Sequence, residues 1–187
     1  MIEPVEVSLV HDEGLDPTAP ALERRAVRAV ARRGEEILLM ATSSGAWKFP
    51  GGGVEDGESE ETALGREVDE ECGLAVTSVD GYVGEVVERS AADVDDPLPV
   101  FVQVSRYYAC TLGDGSGVTA LSAGERALGL VATWVDLARA VADNRARVDG
   151  PHRFVRRELV VLEHLAACWE AGRAERTGPD VRSGCCG

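Results

Sequence analysis

The sequence lacks the features that mark several common classes of protein. Its five cysteines include no C-x-x-C pair, so neither a zinc site nor a thiol redox motif is indicated, and we expect reduced, structural thiols. No run of about 18 apolar residues is present, and the first residues carry no cluster of positive charge. We therefore expect a cytoplasmic protein with no membrane partner.

Positive charge is also scarce. The chain has 19 Lys and Arg residues against 33 Asp and Glu residues, which gives a formal net charge of −14. Such a chain repels the backbone of a long nucleic acid, which basic patches normally attract, so we expect no long nucleic acid as a partner. An acidic protein suits the binding of divalent cations, but solubility alone also favours such a surface.

The length and composition predict the domain organisation. A chain of 187 residues with 44% hydrophobic content can form one sizeable core and is too short for two. We find no internal repeat and no low-complexity segment. We expect an N-terminal extension over residues 1–20, one domain over residues 21–170, and a flexible tail over residues 171–187 that holds Cys185 and Cys186.

Hydrophobic periodicity and turn residues predict alternating strands and helices. Residues 25–32 and 37–40 are interpreted as a hairpin, with Arg33, Gly34 and Glu35 as its turn. The other predicted strands are 5–10, 81–89, 99–112 and 130–135, with a long loop over 113–129. The predicted helices are about 60–71, one capped by Asp136, and one from about residue 153 whose apolar residues, Trp169 among them, face the core.

The helix over residues 60–71 carries the most informative cluster. Ser59 is its predicted N-cap and Gly73 its predicted end. At about 100° per residue, Glu67, Glu70 and Glu71 share one stripe of this helix. Like charges at this spacing destabilise an isolated helix, whereas a divalent cation with oxygen ligands removes the repulsion. The cluster therefore predicts a Mg²⁺ or Mn²⁺ site rather than a zinc site, which would prefer His or Cys. An adjacent apolar stripe holds Leu64, Val68 and Cys72.

Three glycines precede this helix. Gly51, Gly52 and Gly53 let the backbone pass close to the acidic face, where a carbonyl could complete a metal shell; an ordinary tight turn is the alternative. Glu58 and Arg66 are placed to pair between the loop and the helix. Such a pair would fix the loop against the acidic face and give Arg66 a positioning role.

Residues 52–74 resemble the complete Nudix box, G-x5-E-x7-R-E-U-x-E-E-x-G-U, in which U is aliphatic. With each fixed residue at roughly 5–7% frequency, chance agreement in a chain of this size is below about 10⁻⁷. The resemblance implies an α/β fold, a Nudix-type α/β/α sandwich around a mixed, partly antiparallel sheet. The matching positions are Gly52, Glu58, Arg66, Glu67, Val68, Glu70, Glu71, Gly73 and Leu74.

The same resemblance implies a metal site. Family members often add an acid from a later loop, for which Glu125 is the best candidate, although an acid in a long loop is more often merely solvated. The implied ligands are Glu67, Glu70 and Glu71, the carbonyl of Gly51 or Gly52, and Glu125.

The resemblance also implies a reaction. Water attacks phosphorus in a diphosphate linkage, Mg²⁺ or its substitute Mn²⁺ neutralises the phosphate oxygens and activates the water, and a glutamate accepts the proton. The implied catalytic residues are Glu67 and Glu70, with Glu58 and Arg66 as the positioning pair. Whether Glu67 or a loop acid is the base stays open.

The predicted partner is a small nucleotide substrate, and a homodimer is left open. A nucleoside triphosphate, a dinucleotide and a nucleotide sugar such as ADP-ribose all fit. The alternative is a nucleotide sensor without turnover, against which the intact carboxylates count.

Candidate substrate contacts are Trp47, Lys48 and Arg28. Trp47, Tyr107 and Tyr108 could stack on a base, but aromatic residues in or near strands more often serve packing. Arg28 belongs to a group of arginines that either hold phosphates or solvate a sheet face: Arg24, Arg25, Arg28, Arg32 and Arg33.

Overall fold

The computed structural model describes residues 3–177. One sheet contains four strands: β1 (Val5–Val10), β2 (Ala21–Val30), β6 (Leu74–Ala91) and β7 (Val100–Asp114). Its strand order is β1-β6-β7-β2, and it is mixed. Strands β6 and β7 form a long antiparallel hairpin, whereas β1 pairs with β6 and β2 pairs with β7 in parallel.

A second sheet contains the strands β3 (Arg32–Arg33), β4 (Glu36–Ala41), β5 (Trp47–Lys48) and β8 (Val131–Asp136). It is antiparallel and is built around β4, which pairs with each of the other three.

The predicted hairpin is correct only at its tip. Strand β3 pairs with β4 across the predicted turn, but β2 belongs to the other sheet. One edge of β2 pairs with β7. The other edge exchanges backbone hydrogen bonds with residues 50–54. Since a strand has two edges, none is left for β4.

Over residues 3–177, four helices accompany the sheets: α1 (Glu60–Cys72), α2 (Ala123–Leu128), α3 (Leu137–Arg145) and α4 (Phe154–Thr177). The predicted caps of α1 are confirmed, since Ser59 accepts a hydrogen bond from the Thr62 amide and Gly73 adopts the left-handed conformation. Asp136 caps α3, also as predicted. Helix α2 is a correction, because a loop was predicted there. A capping box formed by Ser122 and Glu125 starts this helix.

Helices cover both sides of the sheets. One core lies against α3 and α4 and includes Phe49, Tyr107, Leu162 and Trp169, and the second lies under α1. The fold is therefore an α/β/α arrangement around one mixed and one antiparallel sheet, which confirms the predicted fold class. The apolar residues predicted to line the core from α4 are all buried: Val155, Leu159, Leu162, Leu165 and Trp169.

The N-terminal segment is part of the sheet rather than an appendage. Strand β1 extends the sheet at β6, and the next residue, His11, lies 2.9 Å from Glu88 on β6. Glu88 in turn accepts a hydrogen bond from Arg157 of α4, which also pairs with Glu158. This buried ionic network connects the segment to the main domain.

At the other end of the chain, α4 continues through Thr177. Residues 171–177 are therefore helical where a flexible tail was predicted. The rest of that tail, with Cys185 and Cys186, lies outside the described residues. Within residues 3–177, no helix is both long and apolar enough to cross a membrane.

Asn144 fixes the short strand β5, which leads into the glycine-rich loop. Its side chain is fully buried and bonds both backbone groups of Trp47: Oδ1 accepts from the amide at 2.8 Å, and Nδ2 donates to the carbonyl at 2.9 Å. Asn144 thereby connects α3 to the strand that precedes the loop.

Replacing Asn144 by Ala should lower the free energy of unfolding by about 2–4 kcal/mol, because two buried backbone groups lose their partners. Urea denaturation measures this change. Arg145→Ala is the control, since Arg145 forms an exposed ion pair with Glu163 that should contribute less than about 1 kcal/mol. Equal effects of the two substitutions would contradict the role given to Asn144.

Candidate active site

The glycine-rich segment runs beside β2 as a short, strand-like stretch. The Val27 amide donates to the Gly52 carbonyl at 3.0 Å, and the Val54 amide donates to the Arg25 carbonyl at 3.0 Å. The Gly51 carbonyl accepts a hydrogen bond from the buried Arg28 side chain. Both carbonyls predicted to assist a metal therefore already accept one hydrogen bond each.

An acidic cluster faces this segment. Among the residues that the structure describes, Glu67, Glu71 and Glu125 each offer a carboxylate oxygen, and these oxygens lie within 4.8 Å of one another. Two of the three predicted helix ligands and the predicted loop acid thus meet at one point. Glu70 is not part of this group.

Helix geometry explains the difference between the glutamates. At about 100° per residue, Glu71 lies nearest the core stripe, Glu67 lies next, and Glu70 is turned away from it. Side-chain exposure rises in the same order, from 1% for Glu71 and 12% for Glu67 to 44% for Glu70. Glu70 therefore lies at the solvent-facing rim, where it approaches Arg66 at 3.4 Å.

Glu71 is the most buried member of the cluster. Its Oε1 lies 2.9 Å from Lys48 Nζ, and its Oε2 accepts a hydrogen bond of 2.7 Å from the Gly51 amide. Both oxygens thus have a partner, one of them cationic.

Glu125 is held in place by α2 and by the loop that leads to it. Its carboxylate accepts a hydrogen bond of 2.7 Å from the Ser122 amide. The preceding loop is attached to α1, because the Ser116 amide donates to Asp69 and the Ala120 amide donates to the Glu70 carbonyl. The cluster is therefore assembled from two segments that are fastened together.

Arg66 joins the loop to the helix. It donates to both oxygens of Glu58 at 3.0 Å, to the Gly53 carbonyl at 3.0 Å and to Glu67 at 2.8 Å. The predicted Glu58–Arg66 pair is thus present. The multiple hydrogen bonds give Arg66 and Glu58 a positioning role.

The surroundings shift the acidity of the cluster. Burial, reinforced by the nearby charges of Glu71 and Glu70, raises the pKa of Glu67 despite its bond to Arg66. For Glu125, burial alone would raise the pKa. Hydrogen bonds from Ser122 and the charges of Lys48 and Arg28 outweigh that effect, and the pKa is lowered. With no cation bound, these surroundings therefore make Glu67 the more basic of the two carboxylates.

The three residues predicted to contact the substrate, Trp47, Arg28 and Lys48, differ in burial and in their contacts. Trp47 is a correction, because it is buried in the core and its Nε1 donates to Asp143, so its ring is not available to stack on a base. Arg28 is 4% exposed and holds the loop. Of these three candidates, only Lys48 forms an ion pair with a member of the acidic cluster, Glu71.

The remaining aromatic and arginine candidates mostly serve packing. Tyr107 is buried and donates to Glu158, and Tyr108 donates to Glu60. The guanidinium group of Arg32 stacks on Trp169 of α4, and that of Arg33 stacks on Trp134 of β8. Arg25 pairs with Glu60, whereas Arg24 lies beside Gly53.

The donor set fits a hard divalent cation. Carboxylate oxygens are the ligands that Mg²⁺ prefers, and ligands on opposite sides of Mg²⁺ lie about 4.2 Å apart. The separations within the cluster, up to 4.8 Å, are close to that value. The described residues of the cluster include no His or Cys, which disfavours zinc.

Comparison with known proteins identifies the family. The model of the NUDIX domain matches residues 22–157. Comparison with curated proteins gave no match. Because the NUDIX domain model matches most of its length, the chain belongs to the Nudix family, and it is a hydrolase of that family. Members of the family generally use divalent metals, in agreement with the acidic cluster.

Solved structures share the fold at low sequence identity. The Escherichia coli ORF135 protein is 21% identical, with a TM-score of 0.52 over 84% of this chain and 95% of that chain. A Nudix hydrolase from Nitrosomonas europaea is 18% identical, with a TM-score of 0.52 over 78% and 90%. An ADP compounds hydrolase is 18% identical, with a TM-score of 0.51 over 80% and 74%.

Two residues that build this site were not predicted from the sequence. Ser122 orients Glu125, and Asn144 fixes β5. Ser122 had a readable signal, since Ser-x-x-Glu is the capping-box pattern. Asn144 had none, because its partner is distant in the sequence.

Proposed function

We propose that this chain hydrolyses the diphosphate linkage of a small nucleoside diphosphate derivative in the cytoplasm, with Mg²⁺ or Mn²⁺ bound by Glu67, Glu71 and Glu125. Glu70 contributes a further oxygen ligand at the rim. The observation that supports this proposal is the convergence of three carboxylates from two segments on the glycine-rich loop.

A bound divalent cation would neutralise the phosphate oxygens and increase the acidity of the attacking water. Glu67 accepts the proton of the attacking water; it lies in the cluster, Arg66 orients it, and with no cation bound burial raises its pKa. Arg66 and Glu58 hold Glu67 against the loop. Lys48 and Arg28 supply positive charge beside the cluster. Such a base contributes about 10²–10⁴-fold, so positioning and electrostatics supply most of the acceleration.

The group attached to the diphosphate is recognised by residues outside the Nudix box. A nucleoside triphosphate, a dinucleotide and a nucleotide sugar such as ADP-ribose remain the three substrate classes. A panel of all three, with detection of released phosphate or nucleoside monophosphate, distinguishes them.

We expect turnover of at least one of these classes with Mg²⁺, its loss in excess chelator, and its return when Mg²⁺ or Mn²⁺ is added back. Circular dichroism in chelator is the control for folding. Turnover that survives complete removal of divalent cations would contradict the metal assignment. Nucleotide binding without any turnover would favour the alternative, a nucleotide sensor with the Nudix fold.

A further inference from the structure

Lys48 is the only lysine of the chain; all the other basic side chains among the 19 Lys and Arg residues are arginines. Lys48 lies on β5, and its ammonium group contacts Glu71, the most buried acid of the cluster. Its own side chain is 12% exposed. The one side-chain ammonium group of the protein is therefore at the candidate metal site.

The ammonium group acts on two members of the cluster. It lies 2.9 Å from Glu71 Oε1, and its charge is among the influences that lower the pKa of Glu125, after burial and the Ser122 hydrogen bonds. Lys48 therefore contacts the acidic cluster at Glu71, and its side chain is largely buried there.

The partners of Glu71 leave little room for a second cation. Oε2 accepts the Gly51 amide at 2.7 Å and Oε1 faces Lys48. A buried carboxylate without a counter-ion is strongly destabilising, so Lys48 stabilises the metal-free protein. A divalent cation that uses Oε1 would compete with the ammonium group for the same oxygen and would repel it at close range.

We propose that Lys48 is an exchangeable counter-ion: it neutralises Glu71 until a divalent cation binds, and it then turns to a phosphate oxygen of the substrate. The second step rests on the proposed function. Lysine suits this exchange better than arginine, because it is a compact point charge on a flexible stem, whereas guanidinium forms fixed, bidentate pairs. Lys48 is then a positioning residue in the metal-free protein and a binding residue in the complex.

The first test measures Mn²⁺ binding by calorimetry without nucleotide. Lys48→Met should bind Mn²⁺ about tenfold more tightly than the unmodified chain, because the competing cation is gone. Lys48→Arg, which keeps the charge, should not show this gain. Arg25→Met is the matched control: it removes a cation paired with the same helix, at Glu60, away from the cluster. Unchanged or weaker binding by Lys48→Met would overturn the proposal.

The second test needs no substitution and so avoids any folding defect. Selective ¹³C labelling of lysine gives a single side-chain signal in the NMR spectrum. That signal should shift on titration with Mg²⁺, with the midpoint found by calorimetry, and shift again when inorganic pyrophosphate is added. A signal that stays in place at metal saturation would show that Lys48 keeps its partner, which overturns the exchange.

Kinetics separate this role from a structural one. If a nucleotide is hydrolysed, Lys48→Met should raise KM for it while metal binding becomes tighter, whereas loss of a purely structural ion pair would weaken both. If the lysine signal responds to Mg²⁺ but no nucleotide is hydrolysed, the exchange at Glu71 stands and the proposed function fails. If nucleotides are hydrolysed but the signal does not respond, only the exchange fails.

Discussion

Glu67→Gln is expected to lower kcat by at least about 10³-fold without unfolding the protein. Glu67 combines two roles that glutamine cannot fill: it offers an anionic oxygen to the cation, and it accepts the proton of the attacking water. Loss of a general base alone costs about 10²–10⁴-fold. Glutamine keeps the size of the side chain and can still accept the hydrogen bond from Arg66, so the loop should stay in place.

The measurement is steady-state turnover of the best substrate from the panel at saturating Mg²⁺, together with the midpoint of thermal unfolding. Glu61→Gln is the matched control, because Glu61 lies on the same helix but is exposed. A Glu67→Gln variant that retains more than about one tenth of kcat would rule out Glu67 as the base, and it would shift that role to Glu125.

Local sequence signals predicted much of the fold. The start and end of α1 depend on Ser59 and Gly73, which act within one turn of the helix. The core side of α4 follows from apolar spacing alone. Strand pairing was harder to predict, because the partners of β2 are β7 and the glycine-rich segment, neither of which is adjacent to it in the chain.

The candidate site was predictable where one helix defines it. The stripe of glutamates follows from helical periodicity, and so does the greater exposure of Glu70, which lies farthest from the apolar stripe of α1. The buried position of Trp47 depends on contacts with Asp143 and Asn144 of α3. Such contacts between distant segments leave no local pattern in the sequence.

The glycine-rich loop should tolerate alanine differently at its two buried positions. At Gly52, a Cβ atom would lie 2.3 Å from the Glu67 carboxylate. That carboxylate is the end of a flexible side chain, so it can move aside and the fold should survive. A displacement of about 1 Å at a catalytic group can cost about 10²-fold in rate. We expect Gly52→Ala to lower kcat by at least about 10²-fold with little loss of stability.

At Gly51 the obstacle is backbone. A Cβ atom there would lie 2.1 Å from the Val27 carbonyl oxygen, and the φ angle of +129° disfavours any residue with a side chain. Steric overlap with β2 and backbone strain together should lower the free energy of unfolding by roughly 3–5 kcal/mol. Gly57→Ala is the control, since Gly57 has a positive φ of 80° but nothing within 4 Å of its Cβ position. Urea denaturation and turnover, measured on all three variants, should therefore separate a stability defect at Gly51 from a catalytic defect at Gly52. If Gly52→Ala instead unfolded the protein and Gly51→Ala were well tolerated, the loop could not lie between β2 and Glu67 as described.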